Sequence, residues 1–252
     1  LLGQALTLTV VASGSEPLEY QWHKDGQAIA GAEAKALAFE ALATTDAAAY
    51  TVSISNEAGT VVSDSAAITV HVPITITKQP VEARVIEGET ASFTVAAQGT
   101  EPIEYAWRFN SQVIEGATGP VLTVASASKA NEGSYQVVMK NPAGSAVSEE
   151  VKLTVVQPVV ILGQPEGATK LLGQALTLTV VASGSEPLEY QWHKDGQAIA
   201  GAEAKALAFE ALATTDAAAY TVSISNEAGT VVSDPAAITV HVPITITKQM
   251  GD

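Results

Sequence analysis

A stretch of 79 residues occurs twice in this chain almost unchanged, and this duplication constrains the fold more than any other feature. Residues 1–79 and 171–249 differ only where Ser65 corresponds to Pro235. The two stretches are offset by 170 residues, and a shift of half that length, 85 residues, also aligns the segment between them without gaps. The chain therefore holds three copies of an 85-residue repeat in the order A–B–A. A repeat of this length is the size of one small sandwich domain. We therefore expect tandem small domains and not one large one.

The repeat predicts where each domain begins and ends. We expect a type A domain at 1–72 that lacks its first strand, a type B domain at 73–156 and a type A domain at 157–242. Residues 243–252 are the start of a further repeat or a terminal tail. No Gly/Ser-rich linker separates the copies, and the segment 70–74 runs directly from one domain into the next through a proline, which restricts the joint.

Short alternations of apolar and polar residues predict β-strands throughout. Leu6, Leu8 and Val10 alternate with threonines, and Asp25-Gly26 is a strong hairpin turn because both residues tolerate positive φ. One segment argues against a strand, because residues 32–42 are rich in helix-forming alanine, glutamate and leucine. The aligned part of the B copy contains Pro120 within a strand-like pattern, so a strand is expected in all three copies.

Three motifs recur in every copy: a tryptophan twelve residues after a strand position, an Asp-x-x-x-Tyr corner that reads Asn-x-x-x-Tyr in the B copy, and an Asn-x-x-Gly turn. Together these motifs resemble the immunoglobulin domains of the intermediate type, the I-set. The resemblance implies an all-β array of tandem immunoglobulin-like β-sandwiches. It also implies that each tryptophan and tyrosine is a core residue. These residues are Trp22, Trp107, Trp192, Tyr50, Tyr135 and Tyr220.

The chain departs from the family at the disulfide, because it has no cysteine. Both bridge positions are valine in every copy. The resemblance implies that Val10 faces Val52, Val95 faces Val137 and Val180 faces Val222. Such cysteine-free versions resemble the repeats of large bacterial surface or secreted proteins, which implies an extracellular or cell-surface location.

Composition and charge exclude several functions. A net charge of −15 repels phosphate backbones, so nucleic acid is not an expected partner. No apolar run approaches the length of a membrane span. Without cysteine there is no thiolate nucleophile or thiolate zinc site. No phosphate-binding glycine loop or nucleophile elbow occurs, so we expect no enzyme activity and no cofactor.

The remaining titratable residues have structural interpretations. The histidines are expected at the surface or at junctions, and the repeated Asp46 is expected at the corner before the tyrosine strand; no metal site is predicted. Phe109 is the best candidate for an exposed aromatic residue that could bind a ligand. The histidines are His23, His71, His193 and His241.

These observations favour a non-catalytic structural or adhesive segment that forms an extended rod or stalk. Its expected partners are other repeats of the same protein and an unknown protein or glycan ligand. One alternative is a ligand- or carbohydrate-binding adhesin module. Another is a filament subunit, in which the orphan segment 243–249 of one chain adds a strand to the deficient first domain of the next. An off-register cut through a longer array also produces such ends, and it is the preferred interpretation of them.

Overall fold

The computed structural model describes residues 1–245, which contain 27 β-strands and three single-turn 3-10 helices. The prediction of an all-β fold is confirmed. The helices are Thr44–Asp46, Lys129–Asn131 and Thr214–Asp216. The helix-prone segment 32–42 contains a strand, Ala36–Phe39, because pairing with a neighbouring strand outweighs intrinsic propensity.

The strands that the three copies share follow one order, and the second and third copies each have three strands more than the first within residues 1–245. In the first copy they are β1 (Leu6–Thr9), β2 (Glu19–Lys24), β3 (Gln27–Ala28), β4 (Ala36–Phe39), β5 (Ala48–Asn56), β6 (Gly59–Val62) and β7 (Ala66–Ile68). In the second they are β8 (Thr75–Lys78), β9 (Ala83–Ile86), β10 (Ala91–Thr94), β11 (Ala96–Gln98), β12 (Glu104–Phe109), β13 (Gln112–Val113), β14 (Val121–Val124), β15 (Gly133–Asn141), β16 (Gly144–Val147) and β17 (Val151–Val156). In the third they are β18 (Val160–Gly163), β19 (Ala168–Leu171), β20 (Leu176–Thr179), β21 (Val181–Ser183), β22 (Glu189–Lys194), β23 (Gln197–Ala198), β24 (Ala206–Phe209), β25 (Ala218–Asn226), β26 (Gly229–Val232) and β27 (Ala236–His241).

The chain divides into two compact units, and both take strands from the second copy. Unit 1 comprises Leu1–Glu82, Ser92–Leu122 and Ser134–Lys152. Unit 2 comprises Ala83–Ala91, Thr123–Gly133 and the chain from Leu153 onward.

Unit 1 contains the first copy as two sheets. One sheet has the order β3-β2-β5-β6, with β7 also paired to β5, and the other is the antiparallel pair β1-β4. The sheets enclose two neighbouring core clusters, one around Tyr50 and one around Trp22. From the second copy, unit 1 also holds β12 paired with β13 and β15, and β8 paired with β11.

Unit 2 contains the third copy with two additional N-terminal strands. Its larger sheet has the order β19-β27-β25-β22-β23, and the smaller pairs are β18-β21 and β20-β24. The strand β19 pairs with β27 in parallel, as β9 does with β17. One continuous core cluster around Trp192 fills the space between these sheets.

The short hairpins follow the turn chemistry of the sequence. Asp25 and Gly26 have φ angles of 45° and 81° between β2 and β3, as a type I′ turn requires. Asp25 also accepts the Ala49 N–H through its carboxylate at 2.9 Å, which ties the turn to β5. This bond favours aspartate at a position where most side chains would be strained.

Candidate functional site

Each tryptophan lies at the centre of its copy. Trp22, Trp107 and Trp192 are buried, and each lies opposite one of the predicted bridge-position valines on the neighbouring strand. Their indole N–H groups donate to backbone carbonyls twelve residues later, at 2.9 to 3.0 Å. A buried indole needs such a partner, so the tryptophan also fixes the loop that follows it.

The structure buries most of the valines at the bridge positions. Val52, Val95, Val137, Val180 and Val222 are all buried. Val10 is half-buried and packs against the cluster that contains Trp22 and Val52. Apolar contact therefore occupies the positions where the family pattern has a disulfide.

Each tyrosine lies near the start of the longest strand of its copy, which is β5, β15 or β25. In the type A copies its hydroxyl binds the corner that leads into this strand. The Tyr50 hydroxyl donates to the Asp46 carbonyl at 3.0 Å, and the Tyr220 hydroxyl donates to the Asp216 carbonyl at 3.1 Å. Burial, reinforced by the negative charge of Asp216, raises the pKa of Tyr220 to about 12. The phenol therefore stays protonated and acts as a structural donor. Tyr135 is buried in the second copy and stacks on a phenylalanine ring.

A serine that no sequence motif had indicated supports the same strand in each copy; it is buried in the second and third copies and half-buried in the first. The Oγ atoms of Ser63, Ser148 and Ser233 accept a backbone N–H of the long strand at 3.0 Å. Each hydroxyl also donates to the carbonyl of the next residue. Their 85-residue spacing is the signal that could have revealed them.

Phe109 does not supply a ligand platform. It lies in β12 and not in a loop, it is half-buried, and its ring packs on Tyr135 with the centroids 5.0 Å apart. The expectation that it is the best exposed aromatic residue is therefore corrected. Phe109 extends the core of the second copy to the end of the strand.

A surface depression of about 540 Å³ in the third copy is lined by Glu189, Gln191, Glu203 and Ser223, among others. The Ser223 hydroxyl donates to the Gln191 backbone carbonyl at 3.3 Å, so no base within this depression activates it.

The histidines and acidic residues are dispersed. His23 and His193 are half-buried on the equivalent strands β2 and β22. His71 follows β7, the last strand of the first copy, and His241 is the last residue of β27 in the third copy. Within residues 1–245, no three His, Asp or Glu side chains converge as a metal site would require. In the same range, no helix is long and apolar enough to cross a membrane.

Successive copies are joined without free linker residues. The His71 carbonyl accepts the Leu2 N–H at 2.9 Å within the first copy, and the next residue, Val72, donates its N–H to Thr100 Oγ1 of the second copy at 2.7 Å. At the next junction, in unit 2, the Val156 carbonyl accepts the Glu87 N–H, and Gln157 exchanges two hydrogen bonds with Ser185. The backbone therefore passes from one copy to the next within a single residue.

An ion pair also joins the second and third copies within unit 2. Arg84 and Glu227 approach to 2.5 Å, although both side chains are about half exposed. The Arg84 hydrogen bond lowers the pKa of Glu227. Nearby, the Lys129 hydrogen bond lowers the pKa of Glu132. Because 143 residues separate Arg84 from Glu227, no local sequence pattern indicates the pair.

Breaking this pair should loosen the junction and leave each copy folded. An exposed ion pair adds little to stability, so we expect its loss to change the relative orientation of the two copies and not their folding. Since the pKa of Glu227 is lowered, the pair forms above the ordinary glutamate pKa and is lost as the pH falls through the lowered value. Spin labels on Glu87→Cys and Glu189→Cys should give a narrow distance distribution at neutral pH. It should broaden in acid, and Arg84→Ala or Glu227→Gln should broaden it at neutral pH. An unchanged width in both variants would contradict this role.

The first and third copies have nearly the same sequence but differ in burial. Ile224 and Val180 are buried in the third copy, whereas Ile54 and Val10 are only half-buried in the first. The first copy instead has a groove of about 370 Å³ along these residues. In the third copy Val159 and Ile161, from the segment that forms β18, pack on the same core. The difference therefore comes from the neighbouring strand.

Comparison with known proteins identifies relatives along much of the chain. Hemicentin-2 of Mus musculus is 34% identical over 213 residues, which cover 79% of this chain and 4% of hemicentin-2. The muscle M-line assembly protein unc-89 of Caenorhabditis elegans is 29% identical over 269 aligned positions, covering 92% of this chain and 3% of that protein. The chain thus spans only a few per cent of these relatives.

A solved structure shows the same arrangement of strands. The I-band fragment from titin matches with a TM-score of 0.78 and 23% identity, and the match covers 95% of this chain and 94% of the fragment. The model of the Immunoglobulin I-set domain matches residues 74–155 and 159–242, which is more than half of the chain. The chain therefore belongs to the immunoglobulin I-set family.

Proposed function

We propose that the chain is a non-catalytic rod or stalk segment of a larger cell-surface or secreted protein. In this role, the copies 1–72, 73–156 and 157–242 act as successive spacers. The backbone hydrogen bonds at the junctions carry this proposal, since consecutive residues are held by consecutive copies. A joint with no free residue resists bending, which a spacer requires.

Charge and relatives support the same role. A net charge of −15 keeps such a segment soluble and opposes nonspecific contact between neighbouring rods. The relative unc-89 is named as an assembly protein of the muscle M-line, and hemicentin-2 is a far longer chain. We infer that this chain likewise contributes repeats to a larger assembly, with its neighbouring repeats as partners. An unknown protein or glycan ligand is a further proposed partner. Resemblance to bacterial surface repeats stays a prediction.

A glycan-binding role receives less support. Carbohydrate sites generally need accessible aromatic rings, and Phe109 packs against Tyr135. A depression of about 520 Å³ on the first copy is lined by residues such as Glu19, Gln21 and Ser53, and its aromatic residue, Tyr20, is buried. Spacing and adhesion through repeat surfaces therefore remain the preferred function.

Small-angle X-ray scattering of the chain tests the rod. Each copy should add roughly 35–45 Å of length, given the rise of its longest strands and the turns at their ends. We expect a distance distribution with a long tail that extends beyond about 100 Å. A single symmetric peak, which indicates copies folded back on one another, would contradict the proposal.

A further inference from the structure

A polar depression recurs beside the tryptophan strand of both type A copies, at β22 in the third copy and at β2 in the first. It measures about 540 Å³ in the third copy and about 520 Å³ in the first. The same positions in the middle of the repeat line it in both copies, with residue numbers that differ by 170. In the third copy they include Glu189, Tyr190, Gln191, Glu203, Ser223 and Ser225.

A buried tyrosine hydroxyl at this depression lacks a partner in both copies. Tyr20 and Tyr190 line the depression and are each only 7% exposed. Within residues 1–245 neither hydroxyl forms a hydrogen bond. Lys35 lies 6.0 Å from the centroid of the Tyr20 ring and forms no hydrogen bond with its hydroxyl. Because buried hydroxyls are usually paired, an exception that repeats in two copies points to a partner that binds from outside the chain.

The other polar groups at the depression accept hydrogen bonds. Gln191 donates its side-chain amide to the carbonyls of Trp192 and Ile199 at 2.9 and 2.8 Å. These bonds use both amide hydrogens and leave the side-chain oxygen as an acceptor without a partner within residues 1–245. The same two bonds occur in the first copy. Glu189 and Glu203 are exposed, and no lysine or arginine in the described part of the chain forms an ion pair with either. The depression therefore offers lone pairs and negative charge.

The second copy has a cation at a position where the type A copies have none. Glu104 takes the place of Glu189 there, and Lys140 lies directly opposite it on the neighbouring strand. In the third copy the residue opposite Glu189 is Ser225. Opposite charges that face each other across a strand pair stabilise the pair. A cation bound beside Ser225 gives Glu189 the neighbour that Glu104 already has within the chain.

We propose that the polar depression of each type A copy binds the guanidinium group of an arginine side chain from a partner protein. A guanidinium carries five N–H donors in a planar fork that suits carboxylates, whereas an ammonium has three donors. Glu189, Glu203, Gln191 and Tyr190 together supply acceptors for such a fork. The net charge of −15 attracts a basic segment of this kind.

The exposure of the carboxylates favours a side chain over a free small molecule. Sites for small molecules enclose most of their ligand, whereas Glu189 and Glu203 remain exposed at the rim of this depression. Such a rim holds the end of a side chain that a larger partner carries. Because the depression occurs twice in the chain, a partner with several arginines gains affinity from binding both.

Nuclear magnetic resonance titration of the full chain tests the site. The probe is a peptide with blocked ends that holds one arginine between two glycines, at physiological ionic strength. We expect saturable shifts of the backbone amides at 189–191 and 223–225 and at their first-copy equivalents. The same peptide with lysine in place of arginine should bind at least fivefold more weakly, since an ammonium cannot form the fork. Equal affinity for the two peptides, or no saturable shift at these amides, overturns the proposal.

A paired substitution separates this site from general attraction to an acidic chain. Ser55→Lys combined with Ser225→Lys places a lysine opposite the glutamate, as in the second copy, and should weaken binding at least tenfold. Thr7→Lys combined with Thr177→Lys is the matched control, because it adds the same charge at exposed positions of β1 and β20 in the smaller sheets. The control should stay within about threefold of the parent. If both variants lose affinity equally, the depression is not the binding site.

The tyrosine hydroxyl is tested by Tyr20→Phe combined with Tyr190→Phe. Removing a buried hydroxyl that has no partner should leave the melting temperature unchanged or raise it. Affinity for the arginine peptide should nevertheless fall at least threefold. A lower melting temperature with unchanged affinity would assign the hydroxyl to the fold alone and overturn its place in the site.

The site rests on the proposed function for its protein partner and not for the rod. A compact scattering profile with intact peptide binding would remove the rod and keep the arginine site. An extended profile without peptide binding would remove the site and keep the rod.

Discussion

Replacing Trp107 with alanine should remove about 3–5 kcal/mol from the stability of the second copy, the usual cost of emptying the site of a large buried aromatic residue. The Trp107 side chain is fully buried and packs near Phe93. Its removal also leaves the Gly119 carbonyl without its indole donor. For a domain of this size the loss corresponds to a fall in melting temperature of roughly 15–30 °C.

Calorimetry combined with fluorescence checks this effect and its location. Trp22 and Trp192 remain as reporters of the first and third copies, so their unfolding transitions should keep their midpoints. Glu104→Ala is the control, since Glu104 is exposed on the same strand and should change stability by no more than about 0.5 kcal/mol. A Trp107→Ala variant that melts within a few degrees of the parent would mean that the tryptophan is not the core of this copy.

The first copy should open more readily than the third despite their nearly identical sequences. Val10 and Ile54 are half-buried in the first copy, whereas their counterparts are buried in the third. Covering a Val or Ile side chain fully is worth about 1.5–3 kcal/mol, so we expect local opening to be easier by roughly 2–4 kcal/mol. Amides in β6 should then exchange roughly 30- to 1000-fold faster than those in β26.

Hydrogen exchange by mass spectrometry can resolve the two copies only through their single difference. Peptides that contain Ser65 or Pro235 have different masses, and those that extend back through β6 or β26 report the groove edge. Dilute protein limits association between chains, so that the exchange rates report each copy alone.

Pro235 itself can account for at most about 1 kcal/mol of the difference in opening free energy between the two copies. In a Ser65→Pro variant the two peptides become identical in sequence, so a true difference between the copies gives two isotopic envelopes. A single envelope would mean that the proline, and not the missing strand contact, sets the difference.

The repeated residues made much of the fold predictable. Trp22 and Tyr50 recur at fixed spacing, and the Asp25-Gly26 turn carries its own geometry in its residue types. Residues 32–42 have the composition of a helix, but the aligned part of the second copy contains Pro120, which a helix interior would not accept. Because related copies share a fold, the strand was the correct prediction for this segment.

Features created by the packing of distant segments were not predictable. Arg84 and Glu227 meet across 143 residues, so no local pattern connects the two. Phe109 follows a strand-like alternation, yet contact with Tyr135 decides its burial. Ile54 and Ile224 have the same local sequence and different exposure, so no local pattern could have distinguished them.

The stiffness of the junctions is tested most directly by single-molecule energy transfer between dyes on Glu19→Cys and Glu189→Cys, two equivalent exposed positions in the first and third copies. The chain has no cysteine, so only these two sites react. Two repeat lengths place the dyes roughly 70–90 Å apart, and the rod predicts one narrow population of low transfer efficiency. A broad distribution, or a population of high transfer efficiency, would contradict a rod with direct joints.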